Sequence, residues 1–176
     1  MLGRLDLVPA LDRPDLLAAA VLEQLHLWPG AAQVQVAPID PELADTEAFC
    51  AAYGVEPAAS ANCVVVAGRR GEDVRLAACL VLATTRADVN GVIRRRLDVR
   101  KASFAPFEQT VAATGMESGG ITPIGLPADW PVLVDAAVVA APQVVVGSGL
   151  RRSKLVLPGA ALADLPGVEV LDGLGR

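Results

Sequence analysis

The stretch KASFAPFEQTVAATGMESGGITPIGLPADWPVLVDAAV, residues 101–138, decides how this chain is read. Its opening residues, 102–105, predict a short strand. Pro106 then starts a helix that runs to about Ala113, since proline suits the first helical turn, where its missing N–H is no loss. The segment Ser118-Gly119-Gly120-Ile121-Thr122-Pro123-Ile124-Gly125 holds too many breakers to be regular. Its glycines let backbone N–H groups come close to a ligand, and a run of free N–H groups can hold an oxyanion or a phosphate. Pro123 and Pro127 stiffen it. A tight connection between helix and strand is the plainer role for the same residues. Asp135 follows the apolar strand 132–134, where a carboxylate either faces a cleft or caps the next turn.

Outward from this stretch, the elements are short. A first helix is predicted over residues 12–27, capped by Asp12, with Pro14 in its first turn. Residues 33–37 alternate like a strand, and Asp40-Pro41 opens a second helix to about Tyr53, closed by Gly54. Residues 63–67 and 74–83 make a hairpin across Arg69-Arg70-Gly71-Glu72. Asp88 caps a helix to about Leu97. Downstream, strands are predicted at 143–146, 154–157 and 168–171, with a short helix at 158–165. The sum is an α+β domain around a curved sheet or barrel. The chain reads as a single domain over residues 1–176, with a variable acidic part at 1–45 and a core at 46–171.

With 53% apolar residues and a mean hydropathy of +0.45, intrinsic disorder is excluded. No uninterrupted apolar run reaches about 18 residues, so no membrane span is expected. Acids near the N-terminus argue against a signal peptide. Cys50, Cys63 and Cys79 are odd in number and apolar in setting, which predicts reduced thiols and a cytoplasmic protein. The net charge of −5 argues against a nucleic-acid partner until it is divided. Residues 1–60 carry two basic and nine acidic groups, hence −7; the remainder is +2, with a local +4 over residues 86–101. Arg151, Arg152 and Lys154 make a second basic cluster. Such patches are either solvated faces or phosphate contacts.

The inventory of reactive groups is thin. The one histidine, His26, lies far in sequence from the glycine loop. Gly147-Ser148-Gly149 is not a nucleophile elbow, because Arg151 stands where the last glycine belongs. Nucleotide-binding glycine motifs and metal-ligand spacings are absent, so neither metal nor cofactor is expected.

Taken with the segments around it, residues 101–138 resemble the YbaK / prolyl-tRNA-synthetase-associated family of aminoacyl-tRNA editing domains. The shared pattern is a helix ending in Thr114-Gly115, the loop Gly119-Gly120-Ile121-Thr122-Pro123-Ile124-Gly125, and a strand ending in Asp135. Val146-Gly147-Ser148-Gly149-Leu150-Arg151 and Lys154-Leu155 follow. The similarity spans about residues 46–170. It implies a central, mainly antiparallel β-barrel with surrounding short helices. It also implies hydrolysis, in trans, of the ester on a mischarged tRNA, with a small amino acid on tRNA-Pro as the implied substrate. An aminoacyl-tRNA synthetase is an implied further partner. An aminoacyl ester is already activated, so water attack assisted by the substrate's own ribose hydroxyl needs little beyond positioning and an oxyanion site.

The resemblance assigns roles residue by residue. Gly119, Gly120 and Thr122 would line the aminoacyl pocket and polarise the ester carbonyl, with Pro123 and Gly125 shaping it. Asp135 would sit at the pocket edge, orienting the amino group or the ribose. Gly147, Ser148 and Gly149 would flank the terminal adenosine. Arg94, Arg95, Arg96 and Lys101 would meet acceptor-stem phosphates, with Arg151, Arg152 and Lys154 as a second choice. One position departs from the family, which usually carries a lysine just before the first core strand. Asn62 occupies that slot, and no lysine precedes residue 101. Asparagine offers dipoles without a charge. Either Asn62 acts differently, or a remote arginine substitutes, or activity is reduced or lost. Three roles therefore stand open: a deacylase, a non-catalytic module binding a tRNA 3′ end or a nucleotide, and a protein-interaction domain using the acidic N-terminal surface.

Overall fold

The computed structural model describes residues 2–176. In chain order the elements are β1 (Val8–Pro9), α1 (Ala19–Leu27), β2 (Gln35–Pro38), α2 (Thr46–Tyr53), β3 (Ala61–Arg70) and β4 (Asp73–Leu82). Then come α3 (Arg94–Arg96), which prolongs a π-turn at Val89–Ile93, and β5 (Lys101–Phe104). The last are α4 (Phe107–Thr114), β6 (Val132–Asp135), α5 (Ala136–Val139), β7 (Val144–Gly147), β8 (Ser153–Leu157) and β9 (Val168–Leu171). None of the described helices is long and apolar enough to cross a membrane.

The expected hairpin is the longest piece of regular structure. β3 and β4 pair antiparallel from Ala61↔Leu82 to Arg70↔Asp73, and Gly71 turns the corner at φ +65°. The hairpin lies within a five-stranded sheet ordered β5-β3-β4-β6-β9, in which β6 pairs in parallel with both β4 and β9. A four-stranded antiparallel sheet, β1-β2-β8-β7, lies beside it.

The expected closed barrel does not form. The two sheets are stitched by a single parallel bridge, Ser60↔Val145. Closure needs unbroken edge pairing, and these edges are built to stop it. β1 is two residues long and contains Pro9, and β9 is short with Val170 exposed. The α+β character stands, as two sheets with short helices.

β6, β7 and β8 are buried at every residue, because the sheets are covered on both faces at these strands. Val144, Val146, Leu155 and Leu157 pack with Leu25, Trp28 and Leu80 in the main core around α1. Val145 and Val156, on the opposite face, pack with Phe49 and Cys50 of α2. A third cluster joins Val66, Cys79 and Leu133 to Ile93 and Leu97.

Two predicted helices are broken. Residues 10–12 and 14–16 are separate 3-10 turns, and α1 begins only at Ala19, without a side-chain cap. The intervening backbone bonds elsewhere: Ala18 N–H donates to the Ser148 carbonyl, while Arg152 and Ser153 donate to the carbonyls of Asp15 and Leu16. Asp40 caps a 3-10 turn at Pro41–Leu43, and α2 starts afresh at Thr46. Gly54 closes α2 in the left-handed region at φ +68°, as expected. Asp88 also caps as expected, accepting from Gly91 and Val92.

Candidate functional site

The start of β3, the N-terminus of α2, the glycine loop and the ends of β7 and β8 surround a cavity of about 260 Å³. Its polar walls come from Asp45, Thr46, Ser60, Asn62 and Lys154, and its apolar walls from Ile121, Val145 and Val146. Gly119 and Gly147 complete it where the loop crosses the end of β7. That crossing is tight: a Cβ on Gly147 would lie 2.4 Å from the carbonyl oxygens of Gly120 and Ile121. Glycine there lets the loop rest directly on the strand. The volume falls below the roughly 300–1,000 Å³ typical of sites for drug-sized ligands, so the cavity suits a small group.

Asn62 is on the cavity wall. Its Oδ1 accepts a hydrogen bond from Thr46 Oγ1 at 2.5 Å, which leaves its amide N–H groups for a ligand. Lys154 is there too, rather than on a basic surface with Arg151 and Arg152. The alternation of β8 turns it to the face of Val156 and Phe49, and it is only 7% exposed. Its stem lies over the Phe49 ring, with Nζ 5.4 Å from the centroid. Nζ donates to the carbonyls of Ala44 at 2.8 Å and Gly119 at 3.3 Å. Burial pulls its pKa down to about 8; Asp45 opposes this and Arg151 adds to it. The sequence signal was available: Lys154 is the one charge inside the otherwise buried run Ser153-Lys154-Leu155-Val156-Leu157.

The other expected site residues are distributed differently. Gly120 does not line the cavity; its N–H donates to the Glu117 carbonyl, and a Cβ there would lie 2.7 Å from the Leu150 backbone. Thr122 is fully buried beneath the loop, and its Oγ1 has no hydrogen-bond partner among the described residues. Pro123 and Gly125 line a separate cavity of about 110 Å³ against Gln24 and Trp130. Ser148 is buried, with its hydroxyl bonded to Ser153 and to the Leu150 carbonyl. Gly149 packs against Ala18.

Asp135 is 6% exposed and committed at both oxygens: Oδ1 caps α5 by accepting from Ala137 at 2.8 Å, and Oδ2 accepts from Gly175 at 2.6 Å. It does not line the cavity. Arg94, Arg95, Arg96 and Lys101 are exposed and away from the cavity wall, and Arg96 pairs with Glu169 at 2.5 Å. Arg151 ties loops together by donating to the carbonyls of Ser118 and Pro41.

The cavity has no nucleophile-and-base pair. His26 is exposed on α1, and burial pushes the Cys63 thiol in the wall well above its ordinary value, away from thiolate. No three His, Cys, Asp or Glu side chains among the described residues could hold a metal. The wall offers hydrogen-bond donors, the Asp45 carboxylate and one cation, and the donors and the cation can bind and polarise a carbonyl. Cys63, Val64, Phe107 and Ile121 also border an adjoining apolar cavity of about 380 Å³, with the exposed Phe104 at its edge.

Residues 40–165 match the family model described as "Aminoacyl-tRNA editing domain". Among solved structures, a candidate trans-editing enzyme for prolyl tRNA synthetase matches with a TM-score of 0.75 at 23% identity, over 90% of this chain and 96% of that one. The hypothetical protein APE2540 matches with a TM-score of 0.77 at 17% identity, over 89% and 99%. A scaffold used for epitope backbone grafting matches with a TM-score of 0.75 at 23% identity, over 90% and 97%. At these identities the structural likeness speaks for the fold alone. No curated protein matches the sequence.

Proposed function

The chain belongs to the aminoacyl-tRNA editing domain family, and on that premise we propose that it is a trans-acting deacylase. It hydrolyses the ester of a mischarged tRNA, and its preferred substrate is a small amino acid on tRNA-Pro. The observation that carries this reading is one cavity, sized for a small group, that joins Gly119 of the glycine loop to Asn62 and Gly147. The aminoacyl group enters this cavity, and the free amide N–H groups of Asn62 hold the ester or the ribose edge. The adjoining apolar cavity, with Phe104 and Phe107, receives the terminal base. Water attacks the activated ester with the neighbouring ribose hydroxyl as proton relay, so no side-chain base is needed. Gly120, Thr122 and Asp135 act by holding the loop and strand ends. The exposed Arg94, Arg95 and Lys101 meet acceptor-stem phosphates.

The test is a screen of mischarged tRNAs, read as release of amino acid. Hydrolysis above the spontaneous rate for at least one small amino acid is expected. No acceleration for any pair would refute the reading. A second reading, a binding module for the tRNA 3′ end, is favoured by the uncharged Asn62 in the family's lysine slot. It predicts salt-dependent tRNA binding with no turnover.

A further inference from the structure

Lys154 is a desolvated ammonium that the fold does not neutralise. No carboxylate lies within 4 Å of Nζ among the described residues; the Asp45 carboxylate pairs with Arg151 instead, at 3.8 Å. Burying an unpaired charge is costly, and a structure that needed only packing would be served by an apolar side chain of the same length. Two of the three N–H donors are spent on the carbonyls of Ala44 and Gly119. These bonds and the Phe49 ring hold the head group in the cavity lining, and no hydrogen-bond acceptor among the described residues takes the third donor. No other cationic side chain lines that cavity.

We propose that Lys154 is a catalytic residue, whose ammonium donates its third N–H to the ester carbonyl oxygen as negative charge develops there. This rests on the deacylase reading above. Water oxygen bonds to the carbonyl carbon, and the C=O π pair moves onto the oxygen facing Nζ. The tetrahedral species then expels the ribose 3′ oxygen, which takes the proton lost by the attacking water through the neighbouring 2′-hydroxyl. Free amino acid and deacylated tRNA leave, and Lys154 keeps its proton throughout. The charge is therefore preorganised where it develops and does not titrate during turnover.

The burial of Lys154 favours this over a contact to the 3′-terminal phosphate. A phosphate of the strand is bulky and hydrated and would meet an exposed cation, whereas Lys154 is a buried residue in the lining of a small cavity. The charged and titratable groups around Nζ are Asp45 at the start of α2, Cys50 within α2, Arg151 before β8 and Cys63 on β3. None of these thiols is held near its ionised form, since burial raises both Cys50 and Cys63.

The decisive variant is Lys154→Met, with kcat and KM measured on the tRNA that the wild type hydrolyses best and Tm recorded alongside. Removal of one oxyanion donor lowers kcat by roughly 100–1,000-fold, with KM within about threefold. Returning a charge to the same cavity lining, as Asn62→Lys in the Lys154→Met background, restores at least about tenfold of that loss. For the wild type, kcat corrected for spontaneous hydrolysis falls as pH rises through about 8, because the ammonium is lost. Lys154→Met lacks that falling limb.

A Lys154→Met kcat within about threefold of wild type overturns the proposal and leaves the deacylase reading intact. So does a raised KM with unchanged kcat, which marks a phosphate contact. If Lys154→Met does not fold, the wild-type pH profile decides, and a corrected rate with no falling limb up to the ordinary lysine pKa of about 10.4 overturns the proposal. Failure of the wild type on every mischarged tRNA refutes the deacylase reading itself, and the proposed role falls with it.

Discussion

Replacing Asp135 by alanine separates structural support from substrate contact. The carboxylate accepts from Ala137 at 2.8 Å and from Gly175 at 2.6 Å, and it is buried. Loss of the α5 cap costs ~1 kcal/mol. Stranding the partly buried Gly175 N–H costs about 1–2 kcal/mol more. The total of about 2–3 kcal/mol is a sizeable share of a typical folding stability of roughly 5–15 kcal/mol. The damage is directional, because Gly175 lies in the terminal segment that pairs Arg176 with Arg86 and holds the fully buried Leu174 in its cluster. In urea the midpoint falls by about 0.7–3 M with the m-value unchanged, taking m near 1–3 kcal/mol/M. Hydrogen exchange at residues 174–176 accelerates ahead of the β3–β4 hairpin. At temperatures where the variant is still folded, its kcat for deacylation stays within about threefold of wild type. A variant of unchanged stability that has lost deacylation by two orders of magnitude would refute this reasoning and return Asp135 to the substrate.

Three further outcomes are expected. Thr122→Val removes a buried hydroxyl without a hydrogen-bond partner at nearly constant shape, so thermal unfolding shows equal or greater stability, by up to about 1 kcal/mol; lost activity at unchanged Tm would mean that the hydroxyl meets substrate. Gly147→Ala drives a methyl to 2.4 Å from two loop carbonyls, which costs about 1–3 kcal/mol in denaturant unfolding and shifts the loop that carries Gly119. The double variant Arg94→Ala and Arg95→Ala leaves Tm unchanged and weakens tRNA binding, with the salt slope reduced by about 1–2; an unchanged slope would take that face off the tRNA.

Much of the fold was legible because its signals are local. Gly54 and Gly71 sit at positive φ where a helix ends and a hairpin turns, and Asp88 caps within four residues. The aliphatic runs of β3, β4 and β6 announce buried strands by composition alone. The helix predicted over residues 12–27 failed because carbonyls of Asp15 and Leu16 are claimed by side chains 137 residues away. Helical periodicity reports a segment's own preference, and that preference lost to a tertiary partner.

The same division runs through the candidate site. The residues of 101–138 and the motifs after them determined the family, the glycine loop and the strand that ends in Asp135, since backbone conformation is fixed by neighbours within a few positions. Only the tertiary structure decided what those residues contact. It ties both oxygens of Asp135 to backbone N–H groups, one of them 40 residues away, and it draws Lys154 off the basic surface into the cavity. Lys154 finds its partners 110 and 35 residues away, at Ala44 and Gly119. Whether a charge is desolvated depends on what packs over it, and that is a property of the assembled sheets, which no window of sequence contains.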